Sequence, residues 1–444
     1  MKCIEEEIPF DLPEGWAWTR IWSVAWDLPY GTAQKSVSSG KVAVLRMGNI
    51  QNGEIDYTDL VYSSDDSDIE KYTLQPDDLL FNRTNSAEWV GKTAIYRGDL
   101  PAIYAGYLIR LRTQLCAEYL NAVMNSAYAK EYCIKVKTDG VNQSNINAQK
   151  LGAFLVPVPP VVEQLKIAKR IKKLLPLISI VHNEKIEVAE LVQKTKAKIL
   201  DAAIRGQLVP QDPDDEPASV LLARIREEKE NLIKQGKIKR DKKESIIFRG
   251  DDNSYYVRQE NHVEEIDEQY VFDLPNGWAW CSLFNIAKIE LGKTLDSAKN
   301  TGRTYPYLRS VNVRWNEIDL SDLKEMRFEQ DEIERYTVRR NDLLICEGGD
   351  VGRSCVWTDD TSILYQNALH RVRFYGDCNP FYFMYHMMYY ESRGIIKALC
   401  KGVTIKHLTG NVLSLIPFAL PPLEEQNRIV AKLNKTFLLL DSIL

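Results

Sequence analysis

Three stretches of the chain hold residue types that could do chemistry. Gly91-Lys92-Thr93 and Gly292-Lys293-Thr294 both end like a phosphate-binding loop. Such a loop needs another glycine five residues before the Gly-Lys pair, where backbone N–H groups cradle the phosphates. Ser86 and Ala287 stand at those places, so neither phrase reads as a nucleotide loop. Lys92 and Lys293 are left as contacts for a nucleic-acid backbone or as solvated turn residues. Asn379-Pro380-Phe381-Tyr382 approaches the Asn-Pro-Pro-aromatic phrase of amino-methyltransferases. The second proline is missing, and no glycine-rich loop for S-adenosylmethionine accompanies it. A helix start with Pro380 near its first position accounts for the phrase. Asp214, followed by Glu227-Glu228-Lys229, fits a loose metal-nuclease spacing. Metal catalysis needs those carboxylates clustered on a fixed scaffold, whereas these fall in a loop and on a solvated helical face. The eight cysteines are scattered, without a C-x-x-C pair or a His pair at metal-ligand spacing.

Side chains suited to reading a polymer are more plentiful. Arg and Lys bond guanine edges, and Asn and Gln bond adenine edges, through paired contacts. In the first half the loop candidates are Gln34, Lys35, Arg46, Asn49, Asn82, Arg83, Thr84, Asn85, Lys92, Asn142 and Gln143. In the second half they are Lys293, Arg303, Arg309, Asn312, Glu347, Arg353, Lys406 and His407. "FNRTNS" (81–86) is the sharpest of these, a strand that ends in a polar run. Most phosphate contacts position a protein without reading sequence, so against a nucleic acid only part of this set would read bases. Arg110, Arg112, Arg371 and Arg373 alternate along strands and suit either ion pairs or DNA contacts.

The elements that position these residues come in two copies. "FDLPEGWAW" begins at Phe10 and "FDLPNGWAW" at Phe272, with eight of nine positions identical. Landmarks then recur at a nearly constant offset. Arg46, Asn49, Asp56 and Asp59 return as Arg309, Asn312, Asp319 and Asp322, and "DDLLF" (77–81) meets "NDLLI" (341–345). "VGK" (90–92) meets "VGR" (351–353), and "DGVNQSNI" (139–146) meets "KGVTIKHL" (401–408). Each copy closes on "PP…EQ", at Pro159 to Gln164 and Pro421 to Gln426. A repeat of this length means two copies of a whole domain, not a solenoid. Short β-rich runs between turn signals, with helical patches at 117–132 and 380–398, make each copy a mixed α+β domain. The tryptophans of "GWAW" read as core or domain-edge packing.

After each "EQ" the apolar period becomes helical. Ile167, Ile171, Leu174, Ile178, Val181, Lys185, Val188, Val192, Thr195, Ile199 and Ala202 form a heptad seam in which nine of eleven positions are apolar. A shorter stripe follows the second "EQ" as Ile429, Leu433, Thr436, Leu440 and Ile443. Pairing between the two helices would bury both stripes; packing of each on its own domain is the alternative. The expected organisation is therefore a first mixed α+β domain (1–160), a long central coiled-coil helix (161–205) and a connector with a short helix and a charged mobile segment (206–265). A second domain (266–422) and a short C-terminal helix pairing with the central one (423–444) follow. Pro217 is expected at the first position of the connector helix. Residues 161–249 carry 20 Lys/Arg against 14 Asp/Glu, within a chain of net charge −5. No apolar run is long enough to span a membrane. The scattered cysteines and the absence of a signal-like N-terminus suggest a cytoplasmic protein.

These phrases together resemble the specificity subunit of Type I restriction–modification systems across essentially the whole chain. The stretch "ILDAAIRGQLVPQDPDDEPASVLLARI" (199–225) carries the resemblance most strongly. The resemblance implies two pseudo-symmetric α+β target-recognition domains separated by long antiparallel coiled-coil helices. Each domain would read one half of a split, asymmetric site on double-stranded DNA. The helices would set the gap and dock two methyltransferase subunits, which in turn engage restriction/translocase subunits. The chain itself would be non-catalytic and without a cofactor, with S-adenosylmethionine, ATP and magnesium belonging to the partner subunits. Tight DNA binding would need those partners. A stand-alone enzyme and a two-headed protein scaffold are the competing readings.

Overall fold

The computed structural model describes residues 5–141, 143–238, 240, 245–259, 262–296, 300–400 and 407–444. The chain divides into two compact units, Met1–Asn183 and Glu184–Leu444, and the division falls inside one helix, Val161–Ile204.

Each unit contains a domain closed by its own ends. In the first, strand Ala17–Arg20 pairs antiparallel with Leu155–Val158, the last strand before the helix. In the second, Ala279–Ser282 pairs with Pro417–Leu420 in the same way. The repeated phrases make this closure. Trp16 donates its indole N–H to Glu163 at 3.2 Å, and Trp278 donates to Glu425 at 2.9 Å, each across 147 residues. Gln164 bonds the carbonyl of Pro159 and the N–H of Cys116; Gln426 bonds the carbonyl of Pro421 and the N–H of Asn379. The second tryptophan of each phrase stacks edge-on against the phenylalanine that opens it, at 4.9 Å for Phe10–Trp18 and 5.0 Å for Phe272–Trp280.

Inside the first domain a five-stranded sheet runs in the order Leu108–Leu111, Leu79–Asn82, Thr93–Ile95, Glu54–Ile55 and Ile50–Gln51. One apolar core joins this sheet to helices Ala117–Met124 and Ala127–Val136, and a second lies towards strands Val42–Leu45 and Ala102–Tyr104. The second domain repeats the plan with two four-stranded sheets. Its larger core gathers the helix Pro380–Ser392, the end of the Val161–Ile204 helix and the terminal helix Leu423–Asp441. Asn379 caps the first of these helices by accepting from the N–H of Phe381, with Pro380 at the first position, so the "NPFY" phrase is a helix start. The alternating arginines are structural. Arg110 pairs with Asp27, Arg112 with Asp78, Arg371 with Glu290 and Arg373 with Asp342.

The helical seam is realised at its two ends only. Gln164 and Ala168 are buried at the start of the long helix, where Lys172 approaches Glu118 of the first domain at 3.8 Å. Near its end Val192, Leu200, Ala203 and Ile204 are buried. There the terminal helix runs back alongside it. Glu425 and Gln426 anchor its start to the second domain, while Asp441 near its end pairs with Lys196 at 2.5 Å. Between those ends the seam positions Leu174, Ile178, Val181 and Val188 are exposed. The expected pairing thus holds for the last turns, packing on the home domain holds for the first turns, and the middle has neither. The helix continues through Pro176.

Gly206 ends the long helix at φ +69°, with the N–H of Gln207 returning to the carbonyl of Ala202 at 2.7 Å, a glycine C-cap. The connector carries a helix and a small sheet. Its helix spans Ala218–Lys234, with Pro217 as the capping residue and not the first helical one. Ser245–Arg249, Tyr255–Gln259 and His262–Glu265 then form a three-stranded antiparallel sheet. Apolar residues alternate too weakly here to announce strands, because the sheet is partly exposed on both faces. Within the charged segment 234–244, Lys239 and residues 241–244 lie outside the described residues. Asp215 in the connector clamps Arg428 of the terminal helix at 2.5 Å.

The closing tryptophans yield a stability prediction. Glu425 is 1% exposed, and burial pushes its carboxyl above the ordinary range against the Trp278 bond and nearby Arg428. Trp278→Phe leaves that carboxyl without its donor and is expected to cost about 1–3 kcal/mol. Trp16→Phe, at a half-buried pair, is expected to cost less than about 1 kcal/mol because water replaces the donor. Urea unfolding of the two variants measures the difference, and equal losses would show that the indole N–H is immaterial.

Candidate nucleic-acid interface

The "FNRTNS" stretch leaves the sheet where Leu79–Asn82 ends. The N–H of Asn82 donates to the carbonyl of Lys92 at 2.8 Å, and its carbonyl accepts from Gly91 at 2.9 Å. The N–H of Arg83 donates to the carbonyl of Tyr107 at 3.0 Å, and its carbonyl accepts from Ile146 at 2.8 Å. Thr84–Asn85 then pairs as a strand with Ser144–Asn145. These bonds draw four separate chain segments to one place. The Arg83 guanidinium lies over the Tyr30 ring at 4.5 Å and donates to the carbonyl of Gly106 at 3.2 Å and to Asn145 at 3.4 Å. The Lys92 ammonium sits 3.8 Å from the Trp89 ring centre and 3.2 Å from the Gln51 side-chain oxygen. Partial burial, then the neighbouring Lys130 cation, holds its pKa below the usual lysine value. Gln34 and Lys35 are exposed just beyond Thr32, whose carbonyl accepts from Gly106 at 2.8 Å. Gln143 is exposed beside Ser144. Arg83, Asn85, Lys92, Gln34, Lys35 and Gln143 are therefore gathered around one loop cluster.

In the second domain the equivalent cluster lies around Glu347 and Arg353. His407 is exposed there; a Cβ on Gly348 would lie 3.3 Å from its ring. Arg353 pairs with Asp350 and donates to the carbonyl of Ser310 at 3.0 Å. Glu347 is partly buried, 4.0 Å from Nε2 of His370. That nitrogen bonds the carbonyl of Leu408 at 2.8 Å, and burial keeps the imidazole pKa below its ordinary value.

Several residues expected at this surface do other work. Asn49 and Asn312 are buried. Each accepts from the N–H of the arginine three residues earlier and donates to two backbone carbonyls, so neither amide faces solvent. Those arginines, Arg46 and Arg309, are tied to Asp59 at 2.9 Å and Asp322 at 2.7 Å. Asn82 is fully buried and Thr84 nearly so, with the Thr84 hydroxyl accepting from Asn145 at 2.7 Å. Lys293 is 5% exposed and pairs with Glu332 beside the Phe328 ring, so it is an interior ion pair and not a backbone contact. Arg303 is exposed at the far end of strand Arg303–Leu308 from the cluster. Asn142 and Lys406 lie outside the described residues.

Three aromatics at the first cluster were not singled out from the sequence. Tyr30, Trp89 and Tyr107 are 41%, 46% and 51% exposed. Large exposed aromatics among polar loop residues are unusual enough to mark an interaction surface, and Trp89 inside "NSAEW" was the available signal. Among the described residues no three His, Cys, Asp or Glu side chains gather as a metal site. In the nuclease-like stretch, Lys229 donates to the carbonyl of Phe284 at 2.9 Å. No helix among the described residues is long and apolar enough to cross a membrane.

The family model of the Type I restriction modification DNA specificity domain matches the chain twice, over residues 32–190 and 275–442. The EcoAI specificity subunit of Escherichia coli is 25% identical over 97% of this chain and 79% of its own length. The EcoEI specificity subunit of the same organism is 22% identical over 100% and 81%. Among solved structures, a chain from a type I R-M system studied for complex assembly and conformational transition superposes with a TM-score of 0.62 at 18% identity. It covers 98% of this chain and 93% of its own. The HsdS subunit from Thermoanaerobacter tengcongensis gives 0.51 at 17% identity, covering 98% and 92%. With both matched regions lying on the two domains whose closures and loop clusters correspond, the chain belongs to the Type I restriction–modification DNA specificity family, as a non-catalytic specificity subunit.

Proposed function

We propose that each domain reads one half of a split, asymmetric site on double-stranded DNA through its loop cluster. The observation that carries this reading is the contrast between frame and face. The two domains share closure, strand ladder and turn motifs, yet differ at the loop positions those elements present. Identical faces would suit a palindrome, because two-fold protein symmetry mirrors two-fold site symmetry. Unlike faces on one frame suit a site with two different halves. In the first domain the interface is Gln34, Lys35, Arg83, Asn85, Lys92 and Gln143 with Tyr30, Trp89 and Tyr107. In the second it is Glu347, Arg353 and His407.

The helices set the unspecified gap and dock two methyltransferase subunits, through which restriction/translocase subunits join. The exposed apolar residues Leu174, Leu177, Ile178 and Val181 support that role, since contiguous exposed apolar surface marks interaction sites. S-adenosylmethionine, ATP and magnesium belong to those partners, and the assembly works in the cytoplasm.

Single-molecule methylome sequencing of a host carrying this chain with its methyltransferase subunit is expected to reveal adenine methylation at one split, asymmetric motif. An assembled complex that marks no such motif would overturn the reading. Two lysines from similar phrases are expected to behave differently. Lys92→Ala is expected to weaken binding of the complex to all DNA sequences alike and to reduce the slope of log affinity against log salt by about 1. Lys293→Met is expected to cost about 1–3 kcal/mol of stability by leaving Glu332 without its cation, with the salt slope unchanged. A lowered slope for Lys293→Met, or none for Lys92→Ala, would reverse these assignments.

A further inference from the structure

We propose that Arg83 and Glu347 are equivalent specificity determinants of opposite sense, Arg83 selecting a guanine in one half-site and Glu347 the amino group of a cytosine in the other. The inference rests on the reading of both loop clusters as DNA-facing.

Their equivalence is a matter of backbone bonds. Arg83 follows Asn82, which is bonded to Lys92 and Gly91; Glu347 follows Cys346, which is bonded to Arg353 at 2.8 Å and Gly352 at 2.9 Å. Arg83 donates to Tyr107 and accepts from Ile146. Glu347 donates to Ala368 at 3.0 Å and accepts from Leu408 at 2.9 Å. The neighbouring strand registers agree as well, with Leu108 opposite Asn82 and Leu369 opposite Cys346. One framework thus holds a guanidinium in one domain and a carboxylate in the other.

The surroundings reinforce the inversion. Around Arg83 the second cation, Lys92, rests on an indole face and keeps its charge unopposed by a bonded carboxylate. At the corresponding place Arg353 is neutralised by Asp350. Among the described residues the one basic group within 4.0 Å of Glu347 is His370, buried and hydrogen-bonded to a carbonyl. Among the described residues the first cluster is therefore positive at its centre and the second negative.

Chemistry then limits what each can read. The Arg83 guanidinium, 4.5 Å from the Tyr30 ring and positioned by its bonds to Gly106 and Asn145, is the group type that matches the O6 and N7 acceptors of guanine. A carboxylate is repelled by phosphates, so it is useful against a duplex only where it accepts from an exocyclic amino group. Adenine places its N7 acceptor beside that amino group and opposes the carboxylate. Cytosine carries no such acceptor on its own major-groove edge, and it is the base matched by Glu.

The test uses the assembled methyltransferase complex with the natural chain, Glu347→Gln and Arg83→Ala, with Arg83→Gln as a milder second variant. Motifs are read by methylome sequencing and by competition with duplexes altered at single positions. Glu347→Gln, which preserves shape, is expected to relax one C·G position in one half-site by about tenfold to a hundredfold. Arg83→Ala and Arg83→Gln are expected to relax one guanine position in the other half-site, with every other position unchanged. An unchanged motif in these variants, or equal loss across both halves in an assembled complex, would overturn the assignment while leaving the DNA-reading surface standing. A natural complex that marks no split motif would overturn both.

Discussion

An indole N–H donated to a carboxylate in the first turn of a departing helix decides where each recognition domain closes. Trp16 meets Glu163 and Trp278 meets Glu425. The bond joins the phrase that opens a domain to the phrase that ends it, and the glutamine next to each glutamate stitches the same turn to a helix or loop N–H inside the domain. A hydrogen bond of this kind contributes only about 1 kcal/mol net. Its value here is directional. It makes the chain leave each domain from the point at which it entered, and so ties the root of the following helix to the sheet that presents that domain's loops.

That constraint explains which features of the chain were legible. Residues identical in the two copies turn out to be frame: the tryptophans, the "PP…EQ" glutamines, and the Arg-x-x-Asn turns. Asn49 and Asn312 illustrate the point. As isolated asparagines in polar loops they have the right chemistry for adenine, yet their presence in both copies, each with aspartates at the same offsets, already matched a self-bonded turn. Residues that differ at equivalent positions make up the surface proposed to face DNA. Arg83 against Glu347 and Trp89 against Asp350 were visible in the alignment of the copies, but their significance needed the backbone bonds that prove the positions equal. Lys293 was opaque for a different reason. A lysine after glycine in a polar stretch reads as solvated, and only the strand pairing beside it places its ammonium against Glu332.

The helix was legible as a helix and misleading as a seam. Heptad spacing reports that a stripe is apolar; it does not report what covers it. The first turns of the stripe meet the first domain, the last turns meet the second domain and the terminal helix, and Leu174 to Leu191 meet neither. The three short strands of the connector were not legible, because cross-strand pairs such as Phe248 with Tyr256, stacked at 5.8 Å, stabilise a sheet without an alternating core pattern.

The uncovered middle of the helix bears on how the chain works. Isolated helices draw little stability from propensity alone, and most of it comes from packing of an apolar face. Here the two ends are clamped into domains by buried Gln164 and Ala168 at one side and by Ala203 and Ile204 at the other. The segment between them is held helical from outside, with its apolar residues left in water. Each such side chain is worth roughly 1.5–3 kcal/mol when buried, so covering even four of them would reward a partner substantially before the ordering costs of association. Under the proposed docking role, such a segment would stabilise an assembly more than it stabilises the chain.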